Sequence, residues 1–257
     1  MKQDIYQLSP TPNYPIGFPY PVVNPLDLRR FHYGLAGNTL CTDFGAKQAR
    51  VQDIGFTTIH AAVAQGSRLV SIDVGATDGP LGTGVFAKDE LAGGNIVIFT
   101  HSNAPAAGST YNRMIVGNTA TTGAGVMVVT VDKPLPVPLT IAAPAMHAEC
   151  IANPYLNVQY LPADSPYKSV VGMPTMPAAV GQYLWLQTWG PLWINCDLNV
   201  SVAQNSREVV FGPDGSLHPT VAGDAFNTTQ GQRAGFVLAN GPAHVQGAPF
   251  IFLQITP

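Results

Sequence analysis

Tyr183-Leu-Trp-Leu-Gln-Thr-Trp-Gly-Pro-Leu-Trp193 holds all three tryptophans of the 257-residue chain, within a run from Ser169 to Cys196 that has no charged side chain. That run is long enough to suggest a membrane helix. It also contains Gly172, Pro174 and Pro191, which would break the internal hydrogen bonding that lipid demands of a spanning segment. We therefore predict a strand, a turn and a second strand in a water-soluble fold.

Successive side chains of this segment lie on opposite faces of an extended chain. One face carries Tyr183, Trp185 and Trp189, while the other carries Leu184 and Leu186. Because both faces are apolar, we expect both to be covered. The tryptophan face either belongs to a central strand of the protein's own core, which is the favoured interpretation, or contacts another subunit. The candidate core or interface aromatics are Tyr183, Trp185, Trp189 and Trp193.

Short β-branched runs, such as Leu69–Val74 and Val126–Val131, occur along the rest of the chain between clusters of Gly, Pro, Asn and Ser. Such runs are typical of strands, and no stretch has a sustained helical period. The proline-rich segment Lys133–Pro138 favours a domain boundary. We predict an all-β chain with two β-barrel or β-sandwich-like domains, residues 28–138 and 139–257, after an extended proline-rich N-terminal arm at residues 1–27.

The N-terminal arm combines prolines with aromatic rings. Residues 5–26 carry no charge and include six prolines, a composition that favours an extended polyproline II conformation. Exposed aromatic rings are useful mainly where they dock. The candidate interface residues are Tyr6, Tyr14, Phe18 and Tyr20. We favour docking of the arm on a neighbouring subunit over folding back on its own domain, and expect deletion of residues 1–25 to weaken attachment while leaving the β-domains folded.

The composition indicates an assembled protein. Charged residues make up 11% of the chain, against roughly 25% in ordinary soluble domains, while 46% of residues are hydrophobic. A surface covered by neighbours explains this scarcity of charge, although charge-poor secreted β-proteins exist. The net charge of −3 argues against a nucleic-acid partner. Cys41, Cys150 and Cys196 are widely spaced and odd in number, which disfavours a disulfide framework and a zinc site.

Motifs for catalysis are weak throughout. The six histidines form no HxH, HExxH or HxxxH pair, no serine lies in GxSxG, and no glycine run matches a phosphate-binding loop. We therefore predict no catalytic residue, no metal site, no cofactor and no enzymatic activity. An Asp or Glu pair in a polysaccharide hydrolase is the least supported alternative. Rings near Trp185 could also stack on sugar rings, which would require exposed, coplanar aromatics.

Several segments together resemble virion proteins encoded among the head genes of tailed bacteriophages, specifically capsid decoration or cement proteins. The segments are Arg30-Phe-His-Tyr33, Glu90–Ile98, Asn153–Val158, Val171–Pro174, Gly181–Pro191 and Ala248–Ile255. The resemblance implies a β-rich oligomer, often a homotrimer, bound outside the lattice of the major capsid protein and bridging neighbouring capsomers. It designates no catalytic residues.

The expected function is therefore that of a structural virion protein that stabilises the capsid from its exterior. Its expected partners are further copies of itself and the major capsid protein, with no direct contact to nucleic acid or membrane. With no secretory signal visible, synthesis in the cytoplasm of the bacterial host is expected. The alternative is a virion protein associated with the tail, neck or fibre that binds a host-surface glycan.

Overall fold

The computed structural model describes residues 2–21, 24–49, 52–100, 109–141, 145–160, 168–196, 200, 207–220, 231–239 and 249–257. Over these residues the chain contains strands and turns and no helix, so the prediction of an all-β fold with two domains is confirmed. The strands, numbered in chain order, are β1 Arg30–Leu35, β2 Ala46–Lys47, β3 Ile54–Thr58, β4 Leu69–Val74, β5 Val85–Phe86, β6 Asn95–Phe99, β7 Thr110–Asn118, β8 Thr121–Thr122, β9 Gly125–Val131, β10 His147–Ile151, β11 Val170–Pro174, β12 Tyr183–Trp193, β13 Glu208–Phe211, β14 Leu217–Pro219, β15 Arg233–Ala239 and β16 Phe250–Gln254. A search of the described ranges for a helix long and apolar enough to cross a membrane finds none.

The chain forms two compact units that are not consecutive in sequence. Unit 1 comprises Met1–Ala49 and Pro154–Pro257, and unit 2 comprises Arg50–Asn153. Unit 2 is thus an insertion into unit 1. The predicted domains, residues 28–138 and 139–257 after an arm at 1–27, follow one another along the chain, so the observed division differs from that arrangement.

Unit 1 is built on an antiparallel sheet with strand order β14-β13-β15-β16-β12-β11-β2, and β1 also pairs with β12. The length of β12 allows both pairings. Its first half pairs with β1, from Leu35 opposite Tyr183, and its second half pairs with β16, ending with Trp193 opposite Phe250. Strand β16 alternates, since Ile251 and Leu253 are fully buried in the core and the intervening side chains are not.

Unit 2 contains a six-stranded antiparallel sheet with the order β3-β10-β6-β7-β9-β4 and a small two-stranded sheet of β5 and β8. The six strands curl around one core. Ile59, just after β3, forms a bridge with Ile72 of β4, and the backbone N–H of His60 donates to the carbonyl of Ser71 at 2.9 Å. These contacts join the two end strands. The core is mostly aliphatic with one buried aromatic ring, Phe86, and its fully buried members include Ile96 of β6.

The proline-rich segment Lys133–Pro138, predicted as a boundary, lies inside unit 2. Leu135 is buried in the unit 2 core, and the backbones of Leu139 and Val63 exchange two hydrogen bonds. The proline-rich segment is therefore a connection within unit 2 and not a boundary between domains. The two segments of unit 1 that flank the insertion are held together by a backbone pair. Lys47 and Gln159 exchange two N–H···O bonds of 2.8 Å.

Candidate functional site

The N-terminal segment packs on its own unit through isolated backbone bridges at Ser9 and Pro19. Ser9 and Tyr183 exchange backbone hydrogen bonds of 3.0 and 2.8 Å, and the N–H of Tyr20 donates to the carbonyl of Phe31 at 2.9 Å. Around Tyr20 the segment pairs with the edge of β1 that β12 leaves open, and at Ser9 it pairs with the first residue of β12. The sequence favoured docking on a neighbouring subunit. In the structure the arm instead satisfies the backbone groups of its own sheet edge, which would otherwise be unpaired.

Trp185 lies at the centre of the contact between the arm and the sheet. Its side chain is fully buried, and the rings of Tyr14, Tyr20 and Tyr33 lie 5.3, 4.8 and 5.0 Å from its own between centroids. Its indole N–H donates to the backbone carbonyl of Gln3 at 3.3 Å. Edge-to-face aromatic contacts of this kind stabilise beyond the area they bury. Trp185 is therefore a core residue, as the favoured interpretation predicted.

The four candidate interface residues of the arm have two different environments. Tyr14 and Tyr20 are partly buried against Trp185, and burial raises the pKa of the Tyr20 phenol above its ordinary value. Phe18 stacks on Tyr14, with 5.3 Å between ring centroids, and is 37% exposed. Tyr6 is 57% exposed. Tyr14 and Tyr20 thus act within the protomer, whereas an interface role for Tyr6 and Phe18 stays a prediction.

A cavity of about 230 Å³ opens between the arm and the start of β1. Its apolar wall includes Ile5, Tyr6, Tyr20 and Phe31. Its polar wall consists of side chains from the arm and the turn before β1, namely Asp4, Asn24, Asp27 and Arg29. This pocket lies in unit 1 and is formed by residues close together in sequence.

Arg29 is fixed in the pocket wall. Its guanidinium donates two hydrogen bonds to the Asp27 carboxylate, of 3.0 and 2.9 Å, and a third of 3.1 Å to the Tyr6 hydroxyl. It also lies 5.5 Å from the centroid of the Phe31 ring, within the range of a cation–π contact. The hydrogen bonds from Arg29 lower the pKa of Asp27, and the same pairing raises the pKa of Arg29.

The second half of β12 contributes to a different surface. Pro191 lies opposite Phe252, and Trp193 lies opposite Phe250. Phe236 of β15 is also opposite Phe252, and these two rings stack with 5.4 Å between centroids and a 5° interplanar angle. Directly opposed residues share a face of a sheet. We call this surface the aromatic face, and its members are Trp189, Pro191, Trp193, Phe236, Phe250 and Phe252.

The aromatic face lies on the side of the sheet opposite the buried cluster that contains Ile251 and Leu253. Ile251 and Leu253 alternate with Phe250 and Phe252 and are fully buried, so the phenylalanines point away from that cluster. Phe250 is 40% exposed, and the other five members are partly exposed. Trp189 contacts Phe252 edge-to-face at 5.7 Å between centroids. Trp189 and Trp193 therefore differ from Trp185, which the arm covers.

Among the described residues, a serine lies beside an aspartate and a histidine, as in some catalytic sites, but the group is buried. Ser216 donates to the Asp214 carboxylate at 2.6 Å, and its hydroxyl lies 3.3 Å from the Nε2 atom of His218. Both Ser216 and His218 are about 1% exposed, so no substrate can reach the hydroxyl. Buried Lys47 donates to the carbonyl of Pro213, and burial lowers its pKa. These contacts hold the turn before β14 against β2 and have a structural role.

Ligand-type side chains do not cluster in the part of the chain that the structure describes. A search of it for three or more His, Cys, Asp or Glu side chains able to hold a metal ion finds none. Cys150 is buried, and burial raises the pKa of its thiol well above the ordinary value, which makes it a poor nucleophile. The described residues thus offer two features for recognition, the pocket at Arg29 and the aromatic face.

Sequence reasoning missed the phenylalanines of the aromatic face and the polar side chains of the pocket. The alternating pattern of Phe250–Ile255 is typical of a strand whose two phenylalanines share one face. The sequence did not show which strand would lie beside it. Asp27 and Arg29 give a weaker signal of a functional role, because they are the first charged residues after the uncharged stretch at residues 5–26.

Comparison of the chain with models of protein families, with curated proteins and with solved structures finds no match.

Proposed function

We propose that this protein is a structural component of a tailed-phage virion that binds the outside of the assembled capsid as an oligomer and stabilises the shell by bridging neighbouring capsomers. The observation that carries the proposal is the aromatic face. Six apolar side chains on three adjacent strands are left partly exposed there. The resemblance of the β12 segment and others to capsid decoration proteins gives the proposal its virion setting.

The chemistry of the aromatic face fits a protein partner. Tryptophan and phenylalanine are enriched at the centres of protein interfaces, where charged residues are depleted. At one side of the face, Arg233 and Glu208 form an exposed ion pair of 3.1 Å, which suits a polar rim. A standard interface buries about 800 Å² on each partner. The aromatic face would supply the apolar centre of such an interface, with the surrounding polar residues completing it.

The charge of the chain supports an exterior position in the virion. A net charge of −3 with few charged residues overall gives little attraction to the phosphate backbone of packaged DNA. The proposed partners are accordingly other copies of the chain, most simply in a homotrimer, and the major capsid protein. Neither nucleic acid nor membrane is part of the proposal, and no enzymatic step is required.

Stabilisation would follow from mass action. A ligand that binds the assembled shell and not its dissociated subunits stabilises the shell by its binding free energy. Burial of apolar surface contributes about 25 cal/mol per Å² before the entropic cost of association is subtracted. The partly exposed rings of the aromatic face can therefore supply several anchors per subunit, repeated at every copy on the shell.

The test combines sedimentation with capsid binding. The purified chain is expected to sediment as an oligomer and to bind expanded, DNA-free capsids of the phage that encodes it. Replacing Phe250 and Phe252 with serine should weaken capsid binding at least tenfold. The matched control is Val180→Ser, which changes a 69% exposed apolar side chain elsewhere in unit 1 and should bind as the wild type does. A wild-type monomer without affinity for capsids would refute the proposal.

A further inference from the structure

The pocket at Arg29 has the chemistry of a small ligand site, separate from the aromatic face. We propose that it binds one neutral pyranose ring, such as the terminal residue of a glycan. The inference does not depend on capsid binding, since it rests on the residues of the pocket alone. Its volume of about 230 Å³ is below the range of about 300–1,000 Å³ usual for drug-sized ligands, and suits a single small ring.

The apolar wall of the pocket fits the faces of a sugar ring. Tyr6, Tyr20 and Phe31 line it, and the electron-rich faces of aromatic rings attract the weakly positive C–H groups that a pyranose presents above and below its ring. Tyr6 is the most exposed of the three, at 57%. A solvent-exposed tyrosine at the mouth of a pocket can cover a ligand with little loss of side-chain entropy.

The polar wall offers both donors and acceptors. Arg29 has five N–H bonds, of which the contacts to Asp27 and Tyr6 use three. Asn24 accepts from the N–H of Leu26 through its carbonyl oxygen, which leaves its amide group oriented away from that bond. Asp4 accepts from the N–H of Tyr6 through Oδ1. Sugar hydroxyls donate and accept together, so they match this mixture.

The charges of the pocket disfavour ionic ligands of either sign. Asp27 already neutralises Arg29 through two hydrogen bonds, so the guanidinium offers little net attraction to an anion, and Asp4 repels one. A cation would be attracted by Asp4, but this side chain is exposed to solvent, where water and salt screen its charge. A neutral molecule with polar edges and apolar faces therefore fits better than a carboxylate, a phosphate or an ammonium group.

Binding is tested by saturation-transfer NMR and calorimetry on the full chain with methyl glycosides of glucose, galactose and mannose. At least one is expected to bind with a dissociation constant of about 1 mM, as befits one ring in an open pocket. Glucuronate and tetramethylammonium serve as anionic and cationic probes and should bind at least fivefold more weakly. Tighter binding of either ion, or no binding of any neutral glycoside at tens of millimolar, would overturn the proposal.

Three variants locate the site. Tyr6→Ala should weaken glycoside binding about tenfold by removing the stacking ring, while Tyr6→Phe, which keeps the ring and loses the hydroxyl, should weaken it about two- to threefold. The matched control is Phe18→Ala, which removes an exposed arm aromatic that does not line the pocket. Tryptophan fluorescence verifies that each variant is folded. Unchanged binding in Tyr6→Ala, or equal losses in Tyr6→Ala and Phe18→Ala, would place the site elsewhere and overturn the assignment.

Discussion

The first half of β12, Tyr183–Thr188, and its second half, Trp189–Trp193, have similar side chains in opposite surroundings. Trp185 is fully buried beneath the N-terminal arm. Trp193 lies on the partly exposed aromatic face. The difference arises from a segment about 180 residues earlier in the chain, which donates and accepts hydrogen bonds along the first half alone. Aromatic content therefore identifies the strand, and a distant segment decides which half becomes core.

Deleting residues 1–20 should have the largest effect on stability, because it exposes Trp185 and the edge of β1 that the arm covers. Full burial of a tryptophan of about 250 Å² corresponds to roughly 6 kcal/mol before entropy is subtracted. We expect unit 1 to lose at least about 4 kcal/mol of unfolding free energy. The sequence alone predicts that the β-domains stay folded without residues 1–25, and the contacts of Trp185 add that unit 1 becomes less stable. Urea unfolding followed by tryptophan fluorescence reports on unit 1 alone, since all three tryptophans lie there. An unchanged midpoint would contradict the role of the arm as a cover.

Single substitutions compare the two halves directly. Trp185→Ala should cost about 3–5 kcal/mol, because it leaves a cavity in a packed cluster. Trp193→Ala should cost about 1–2 kcal/mol, because the lost side chain is already partly exposed. The same urea titration measures both variants. Equal costs would mean that the aromatic face is as well covered as the Trp185 cluster.

Gly190 lies at the junction of the two halves. Its φ is 96°, and an added Cβ would lie 2.8 Å from both the Cα of Arg29 and the carbonyl oxygen of Leu28. Gly190→Ala should therefore cost about 2–3 kcal/mol, from backbone strain together with the clash. Gly181→Ala is the matched control. Its φ of 79° carries a similar strain, but no atom lies within 4 Å of the added Cβ, so a cost of about 1 kcal/mol is expected. Equal melting temperatures for the two variants would show that the contact at Arg29 is unimportant.

The smallest effect concerns Asp27, which lies in the pocket wall in the turn before β1. Arg29 lowers the pKa of Asp27 in the folded state below its ordinary value of 3.8. A lowered folded-state pKa stabilises the fold above the unfolded-state pKa, and that contribution disappears as the pH falls through the folded-state value. The stability difference between wild type and Asp27→Asn should thus be largest near neutral pH and shrink below about pH 4. Urea titrations at several pH values measure it, and a difference that grows in acid would contradict the pairing.

The sequence predicted the class of the fold and the core role of Trp185, because alternation and uncharged runs are local signals. The domain division needed long-range information. Lys133–Pro138 has a linker-like composition, yet Leu135 and Leu139 are buried in unit 2. The short segments that join the two units, around Ala49 and Asn153, have no unusual composition. The pocket was equally hidden, since the arm must fold back before Asp4 and Tyr6 approach Arg29.

The insertion of unit 2 imposes an order on folding during synthesis. All strands of unit 2 lie between Arg50 and Asn153, so its sheet can be completed while the rest of unit 1 is still to be translated. Strand β16 lies between β15 and β12 in the sheet of unit 1 and follows both along the chain. Until residues 250–254 emerge from the ribosome, the second half of β12 and strand β15 each lack their neighbour. The nascent chain must therefore protect two unpaired strand edges, which are sites where β-proteins aggregate, until β16 joins them.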